Sequence, residues 1–427
     1  MATLNLLGNT TRVETPYVKV TIGDYTFGVM NQTDTEMKRD ERGTYKYRYV
    51  KFPNFIQTLK VVKINGQVNK YTLSISYPIT QNDDPNFFEK IFSSVKETRR
   101  IVFSYGDMSA PSYIFREEEA VIQSIQQTFS RESTVINYVI NATSAAILAS
   151  QGSFSFPATF NQPSKVIESL LSDNQYGLLE IFPGMRDTKA VKTLGLLDGT
   201  DNAVNIEAKT NISVLDYLTY LVSCMTSSAD SLTRGSVYSM IIVDDSENFY
   251  DNSGTYTTLG GSYFKIVKIE SGLDDPQTYT IDIGYPSQNI VTNFTIENNE
   301  SYSLYYDFQQ RINTYEYVHR INDKGEFEEV YCPVLSSNSQ YQTTEADMNW
   351  WSKVTSFPVG ATIELKGLLR PAILMTHVRL NVYYYGKKHI SSGLYIITGQ
   401  TDEISTAGYK TTLGLRKIAG DNDDYYI

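Results

Sequence analysis

The chain has 427 residues, of which 41% are hydrophobic and 20% are charged, and this balance excludes wholesale disorder. Its length predicts two to four domains. The formal net charge of −11 argues against nonspecific nucleic-acid binding through a basic surface.

The sequence contains no membrane or secretion signal that we can identify. No apolar run approaches the roughly 18–20 residues that a bilayer-spanning helix needs, so we expect no stable membrane insertion. The first residues, MATLNLLGNTTRVETP, lack the charged and apolar regions of a signal peptide. We therefore expect the protein to stay in the cytoplasm or to leave it as part of a particle.

Tyrosine is unusually abundant and cysteine is rare. The 33 Tyr and 19 Phe residues suit strands with one buried and one wet face, and they suit interfaces. Cys224 and Cys332 lie far apart in the sequence, which favours two reduced, buried thiols over a single bridge.

Residues 1–150 predict a β-barrel or sandwich with one helix packed on it. Asn65-Gly66 joins two alternating runs and is a strong hairpin signal. Asp84-Pro85 begins a helix, because an acceptor side chain precedes a proline at the first helical position. The polar segment 31–48 predicts a loop. Predicted strands occupy 16–30 (two strands around Gly23-Asp24), 55–64, 67–77, 101–105, 120–129 and 134–143.

Residues 151–255 predict a small α+β domain. The Ser-, Gly- and Pro-rich stretch 150–163 indicates a domain boundary. One helix begins near Ser164, and a second begins at Ser213, which can cap it with Asp216 three residues later. The apolar strand Val237–Val243 closes the domain.

Residues 256–300 and 357–427 predict a second β domain, with 301–356 as an irregular insertion. Its predicted strands are 263–269, 278–285, 361–365, 378–385, 393–398, 402–405 and 409–415. The last two form a hairpin in which Gly408 supplies the positive φ that a short turn needs.

Two strands share the pattern Y-T-[LI]-x-I-x-Y-P. They are Tyr71–Pro78 and Tyr279–Pro286. The match is either a coincidence in a Tyr-rich chain or the trace of a duplicated β domain. Duplication predicts that both segments occupy equivalent central strands.

The sequence predicts no catalytic, cofactor-binding or metal-binding residue, and we expect no enzyme. The three His residues stand singly, and no nucleophile, phosphate-loop or metalloprotease motif occurs. Asp244-Asp245 follows an apolar strand, where hydrolases often carry carboxylates, but a solvated turn is the favoured interpretation. Glu117-Glu118-Glu119 is interpreted as a solvated charge run. Trp350-Trp351 either anchors a loop or stacks on sugars.

Three regions carry motifs that resemble those of phage tail hub proteins, the family of the contractile-tail baseplate hub and the hub part of the type VI secretion spike. Arg99–Asp107 matches the end of the family's first barrel. The middle motif is Gly284, Tyr285, Pro286, Val291 and Phe294, and the last is Gly393, Tyr395, Ile397, Gly399, Gly408, Tyr409, Thr411, Leu413 and Leu415. The regions cover about half of the chain, in the family's order.

The resemblance implies a mainly β fold with α+β insertions: two tube-like antiparallel β-barrels plus a small α+β domain. It further implies a homotrimer whose six barrels form a ring on a hexameric tail tube protein and receive a spike or tail-tip protein. A tape measure protein is a further partner, and DNA passes through the channel without specific binding. The expected place is the virion tail, assembled in the host cytoplasm. Two alternatives stay open: a carbohydrate- or receptor-binding β protein, and a tail-associated cell-wall hydrolase.

Overall fold

The fold is that of a computed structural model, and its strands, helices, contacts and cores are those of the residues that the structure describes. These are 16–23, 25–28, 33–39, 45–51, 55–79, 86–94, 100–107, 116–129, 134–197, 199–225, 237–245, 247–250, 256–259, 261–269, 279–284, 291–298, 315–321, 327–333, 359–366, 374–389 and 391–419. Trp350, Trp351, Tyr285 and Pro286 lie outside them.

The described residues of the amino-terminal third form strands and one helix, as predicted. Its elements are β1 (Pro16–Ile22), β2 (Tyr25–Gly28), β3 (Thr33–Arg39), β4 (Tyr45–Lys51), β5 (Ile56–Ile64), β6 (Lys70–Pro78), α1 (Phe87–Ser94), β7 (Arg100–Asp107), β8 (Arg116–Phe129) and β9 (Val135–Ser144). The loop predicted over 31–48 is wrong, because β3 and β4 pair there as a hairpin. Tyr45, Tyr47 and Tyr49 alternate with charged residues in β4, a pattern typical of a strand.

The middle of the chain mixes short helices and strands. Its elements are β10 (Phe154–Phe156), β11 (Thr159–Asn161), α2 (Pro163–Asp173), α3 (Leu178–Ile181), α4 (Thr188–Thr193), β12 (Val204–Ile206), β13 (Lys209–Ile212), α5 (Val214–Ser223), β14 (Val237–Val243), β15 (Glu247–Tyr250), β16 (Tyr256–Leu259) and β17 (Tyr263–Ile269). The predicted cap is confirmed, since Ser213 Oγ accepts a hydrogen bond of 3.1 Å from the Asp216 N–H. The stretch 150–163, where a domain boundary is predicted, contains the strands β10 and β11.

The carboxy-terminal part is again built from strands. They are β18 (Tyr279–Ile283), β19 (Val291–Asn298), β20 (Tyr315–Ile321), β21 (Phe327–Pro333), β22 (Val359–Lys366), β23 (His377–Tyr384), β24 (Lys387–Lys388), β25 (Gly393–Ser405) and β26 (Gly408–Ala419). β20 and β21 form a hairpin within the predicted insertion. The two strands predicted over 393–405 are one strand of 13 residues.

One 14-stranded sheet joins both ends of the chain. Its path is β19-β22-β26-β25-β5-β6-β9-β8-β7-β1-β2, and β18, β23 and β24 lie off this path. The link is β25, whose first part pairs with β23 and whose last part pairs with β5. Within the described residues the sheet does not close on itself, so neither predicted barrel closes there.

Three hydrophobic cores lie along this framework. One packs α1 on the amino-terminal strands, and Ile404 and Tyr409 from the last hairpin are part of it. Another, made of the carboxy-terminal strands, contains Leu413 and Leu415 of the same hairpin. The third belongs to the middle of the chain. The β25–β26 hairpin therefore couples two cores, while the division into domains stays a prediction.

The two similar segments do not share a strand environment. β6 has the antiparallel neighbours β5 and β9. β18 pairs in parallel with β23, its one neighbour among the described strands. The prediction of equivalent central strands is therefore wrong for the described part of the chain, and coincidence is the favoured interpretation of the pattern.

Candidate functional site

Three of the motif residues predicted to be structural lie in the first half of β25 and at its middle. Tyr395 is fully buried, and its hydroxyl donates a 2.6 Å hydrogen bond to the Ser391 carbonyl. Gly393 begins the strand. Gly399 pairs with Ile64 of β5 at a point where the register of β25 against β26 shifts. This is the place where β25 passes from one core to the other.

The remaining motif residues lie in separate parts of the sheet. Gly408 has a φ of 136°, so the predicted positive φ is confirmed. Leu413 is buried in the carboxy-terminal core. Gly284 follows β18 with a φ of 78°. The structure thus places the motif residues at a strand start, a register shift, a turn and a core position, and does not bring them together as one site.

A buried polar cluster lies where the amino-terminal strands meet the middle of the chain. We call it the carboxylate cluster. Its members come from adjacent strands and one strand end: Lys63 of β5, Asn69 and Tyr71 at β6, Tyr105 of β7, Glu118 of β8, Ser144 of β9 and Asp244 after β14. Because β5, β6, β9, β8 and β7 are neighbours in the sheet, inward-facing residues at matching heights converge.

The interpretation of Asp244-Asp245 as a solvated turn is wrong. The interpretation of the Glu117-Glu118-Glu119 run as solvated is wrong for Glu118 only, since the side chain of Glu117 is 61% exposed. Glu118 is 1% exposed, and Asp244 and Asp245 are 3% and 7% exposed. An isolated bridge pairs Glu118 with Asp245, and the Glu119 N–H donates to the Asp244 carbonyl at 3.1 Å. The backbone after β14 therefore docks on β8, which turns both side chains inward.

Glu118 is held by one cation and two hydroxyls. Lys63 Nζ pairs with Glu118 Oε1, and the Lys63 side chain is 12% exposed. The Tyr105 hydroxyl donates to Oε1 at 2.9 Å, and the Tyr71 hydroxyl lies 2.8 Å from Oε2. A buried carboxylate needs this number of partners, because its desolvation is costly.

Asp244 is held by neutral donors. Ser144 Oγ donates to Oδ1, and Asn69 Nδ2 donates to Oδ2 at 2.9 Å. The Tyr71 hydroxyl lies 2.9 Å from the same Oδ2. Asn69 Nδ2 also contacts the Ile242 carbonyl at 3.2 Å. These contacts fasten the end of β14 to β6 and β9.

The Tyr71 hydroxyl lies between two carboxyl groups but carries one proton. It can donate to only one of them, so the other contact requires a proton on the second carboxyl group. Burial raises the pKa of Asp244 to about 6, and the negative charge of Glu118 adds to this effect. Below that pH, Asp244 holds the additional proton and can donate it to Tyr71. Above it, two negative charges face one hydroxyl.

Another buried carboxyl group belongs to the last hairpin. Asp402 accepts hydrogen bonds from Thr411 Oγ1 at 2.7 Å and from Gln400 Nε2 at 2.6 Å. Burial raises the pKa of Asp402, and the positive charge of Lys63 partly opposes this shift. Lys63 therefore acts electrostatically on a carboxyl group of the last hairpin as well as on Glu118.

The carboxyl groups of the carboxylate cluster find their hydrogen-bond partners within the protein. Their oxygens are enclosed, and each carboxylate contacts donors of the protein itself. Among the described residues, no group of three or more His, Cys, Asp or Glu side chains is arranged to hold a metal ion. Cys224 is a free, buried thiol, as predicted.

A cavity of about 440 Å³ lies in the middle of the chain, between α2 and α4. Leu171, Leu179, Met185, Val191 and Leu197 contribute its apolar lining. The ion pair of Lys192 with Glu168, 3.0 Å long, is exposed beside it. Its volume falls in the range of small-molecule pockets.

The sequence could have indicated the cluster through strand phase. Glu118 is in phase with Ala120 and Ile122, which are buried, and Asp244 is in phase with Met240 and Ile242. A carboxylate that continues a buried face points inward.

None of the helices in the described part of the chain is long and apolar enough to cross a lipid bilayer.

No family model matches the sequence, and no curated protein matches it either. Solved structures do resemble the chain. One is a tail protein from Neisseria meningitidis, with 10% identity, a TM-score of 0.45, and coverage of 97% of this chain and 100% of the other. Another is an Escherichia coli type VI secretion component described as similar to the T4 tail proteins gp27 and gp5, with 10% identity, a TM-score of 0.44, and coverage of 88% and 76%.

A third is the Francisella PdpA–VgrG complex, with 11% identity, a TM-score of 0.42, and coverage of 97% of this chain and 60% of the other. Phage tail and secretion-spike proteins are also the classes that the sequence motifs resemble. A TM-score below 0.5 at this identity does not establish a common fold, so a functional assignment rests on the chain's own residues.

The raised pKa of Asp244 predicts a pH-dependent stability. Its pKa is about 6 when folded and 3.8 as the unperturbed value, so the stabilising term is present at low pH and is lost as the pH rises through 6. Asp244→Asn mimics the protonated form and lacks this loss. Relative to wild type, the variant should gain about 2 kcal/mol of unfolding free energy between pH 4.5 and 7.5.

Urea unfolding at the two pH values measures this gain. The unfolding free energy of the variant is subtracted from that of the wild type at each pH. This difference cancels the contribution of the other titrating carboxyl groups. Asp173→Asn, at the exposed end of α2, is the control and should show no comparable gain. An Asp244→Asn difference that is the same at both pH values would contradict the assignment of the proton.

Proposed function

We propose that the chain is a structural protein of a phage-like tail, the hub at the centre of the baseplate or tail tip. The observation that carries the proposal is the β25–β26 hairpin, which belongs to two hydrophobic cores at once. It fixes two β units of one chain against each other. The last of the three hub-like motifs lies on the same hairpin, at Gly393, Tyr395, Gly399, Gly408 and Leu413.

A rigid pair of β units suits an adaptor between different symmetries. Three chains with two units each present six β units to a hexameric tail tube protein and keep threefold symmetry for a spike or tail-tip protein. We propose this homotrimer, with a central channel for DNA and a tape measure protein as a further neighbour. The carboxylate cluster adds rigidity, because Asp244 fastens β14 to the sheet and Lys63 lies on β5 opposite Gln400 of the last hairpin.

The proposed role is non-enzymatic. The Asp244 carboxyl group, which a hydrolase could have used, is buried and engaged with Tyr71, Ser144 and Asn69. Its geometry serves cohesion of the fold. The place of action is the virion tail.

Mass determination of the purified chain by native mass spectrometry tests the proposal, alone and with a tube protein from the same particle. The expected assembly contains three copies of the 48.4 kDa chain, and negative-stain images should show a ring with an open centre. A ring of another order, or a monomer in the assembled particle, would overturn the proposed function.

A further inference from the structure

The β23–β24 hairpin ends in an aromatic and basic tip. Tyr384 pairs with Lys387, which leaves Tyr385 and Gly386 as a two-residue turn. Their φ values are 50° and 75°, so both central residues are left-handed, as in a type I′ turn. We call residues 384–388 the hairpin tip.

The two aromatic side chains of the hairpin tip are more exposed than most aromatic side chains of the described residues. Tyr385 is fully exposed and Tyr384 is 55% exposed, whereas most described aromatic side chains are buried in the cores. Lys387 and Lys388 are exposed beside them. Two lysines at one point stand out on a chain of net charge −11.

The tip is fixed in place by the strands behind it. β23 lies between β18 and β25, and the His389 N–H donates a 2.8 Å hydrogen bond to the Val382 carbonyl. The Tyr384 ring stands edge-on to His389 at 5.0 Å between centroids. A tip held in this way loses little conformational entropy when it binds.

Tyrosine at position 385 is an unfavourable choice for the fold itself. Asn or Gly is preferred at the first central position of a type I′ turn, because a bulky side chain is strained at positive φ. The Tyr385 side chain is fully exposed, so burial within this chain does not offset that strain. Exposed tyrosines on a rigid turn are typical of contacts to another protein.

We propose that the hairpin tip is an intermolecular contact that docks against an acidic surface of a second copy of this chain. The choice of partner rests on charge complementarity, since the tip is basic and the chain as a whole is acidic. It also rests on the proposed function, in which copies meet side by side in a ring. The tyrosines supply the contact area and the lysines supply its orientation.

The test compares self-association with stability in Tyr385→Asn. Asn suits the turn, so the melting temperature should stay the same or rise by about 1–3 °C. Self-association, measured by sedimentation velocity, should weaken at least about tenfold. The double variant Lys387→Glu/Lys388→Glu should weaken it as well, more at about 0.05 M than at about 0.5 M NaCl. Phe160→Ser is the matched control, an aromatic side chain 69% exposed elsewhere, and should associate like the wild type.

Unchanged association of the tip variants would overturn the inference, and so would a wild-type chain that does not self-associate. If the tip variants still form a ring of three chains, this inference is wrong and the proposed function stands. If the wild type forms a ring of another number of chains, the proposed function is wrong. The last part of the test measures the binding of a single-stranded DNA oligonucleotide by fluorescence anisotropy. If only the tip variants lose DNA binding while their self-association stays intact, the tip is a contact to nucleic acid. That result would overturn the proposal.

Discussion

Replacing Lys63 with methionine is expected to lower the free energy of unfolding by about 3–5 kcal/mol. Methionine keeps most of the aliphatic length and removes the charge. Glu118, 1% exposed, then keeps its negative charge without the cation, and two further buried carboxyl groups, Asp244 and Asp402, lie in the same region. An unpaired buried charge costs much more than a lost surface contact.

Lys410→Met is the matched control for this measurement. Lys410 Nζ lies 2.7 Å from Glu364 Oε1, and the two side chains are 48% and 31% exposed. Water replaces the lost partner there, so the expected loss is under about 1 kcal/mol. Urea unfolding of both variants at neutral pH gives the comparison.

Adding Glu118→Gln to Lys63→Met should recover part of the lost stability. The buried charge is then gone, while the glutamine carbonyl can still accept from Tyr105 or Tyr71. A Lys63→Met loss as small as that of Lys410→Met would show that the carboxylate cluster does not depend on its cation. The role given to Lys63 would then be wrong.

The sequence predicted those elements whose signals are local. Asn65-Gly66 separates β5 from β6 at the predicted place, and Ser213 caps α5 as predicted. β14 has the predicted bounds, Val237–Val243. Turn and cap chemistry acts over a few residues, so it can be recognised without knowledge of the fold.

Long-range pairings could not be predicted in this way. The passage of β25 from β23 to β5 depends on strands more than 300 residues apart in the sequence. The same holds for the carboxylate cluster, because Tyr71 and Asp244 are separated by 173 residues. Local composition suggested solvated charges at Glu118 and Asp244, whereas their strand phase, which continues a buried face, pointed inward.

Gly284→Ala is expected to lower the free energy of unfolding by about 2–4 kcal/mol, through positive φ and a backbone collision together. β18 pairs in parallel with β23 up to Ile283 and Val382, and Gly284 comes next. A Cβ atom on Gly284 would lie 2.2 Å from the Tyr383 carbonyl oxygen. Because that atom is backbone in a paired strand, relief requires β18 and β23 to move apart.

Gly66→Ala separates the two causes. Gly66 has a φ of 70°, close to the 78° of Gly284, but a Cβ atom there meets nothing within 4 Å. Its loss should therefore reflect conformation alone, about 1 kcal/mol. Chemical denaturation of both variants measures the difference, which reports the close approach of β18 to β23. Equal losses at the two glycines would show that the strands can separate at little cost, and Gly284 would then serve the turn and not the strand contact.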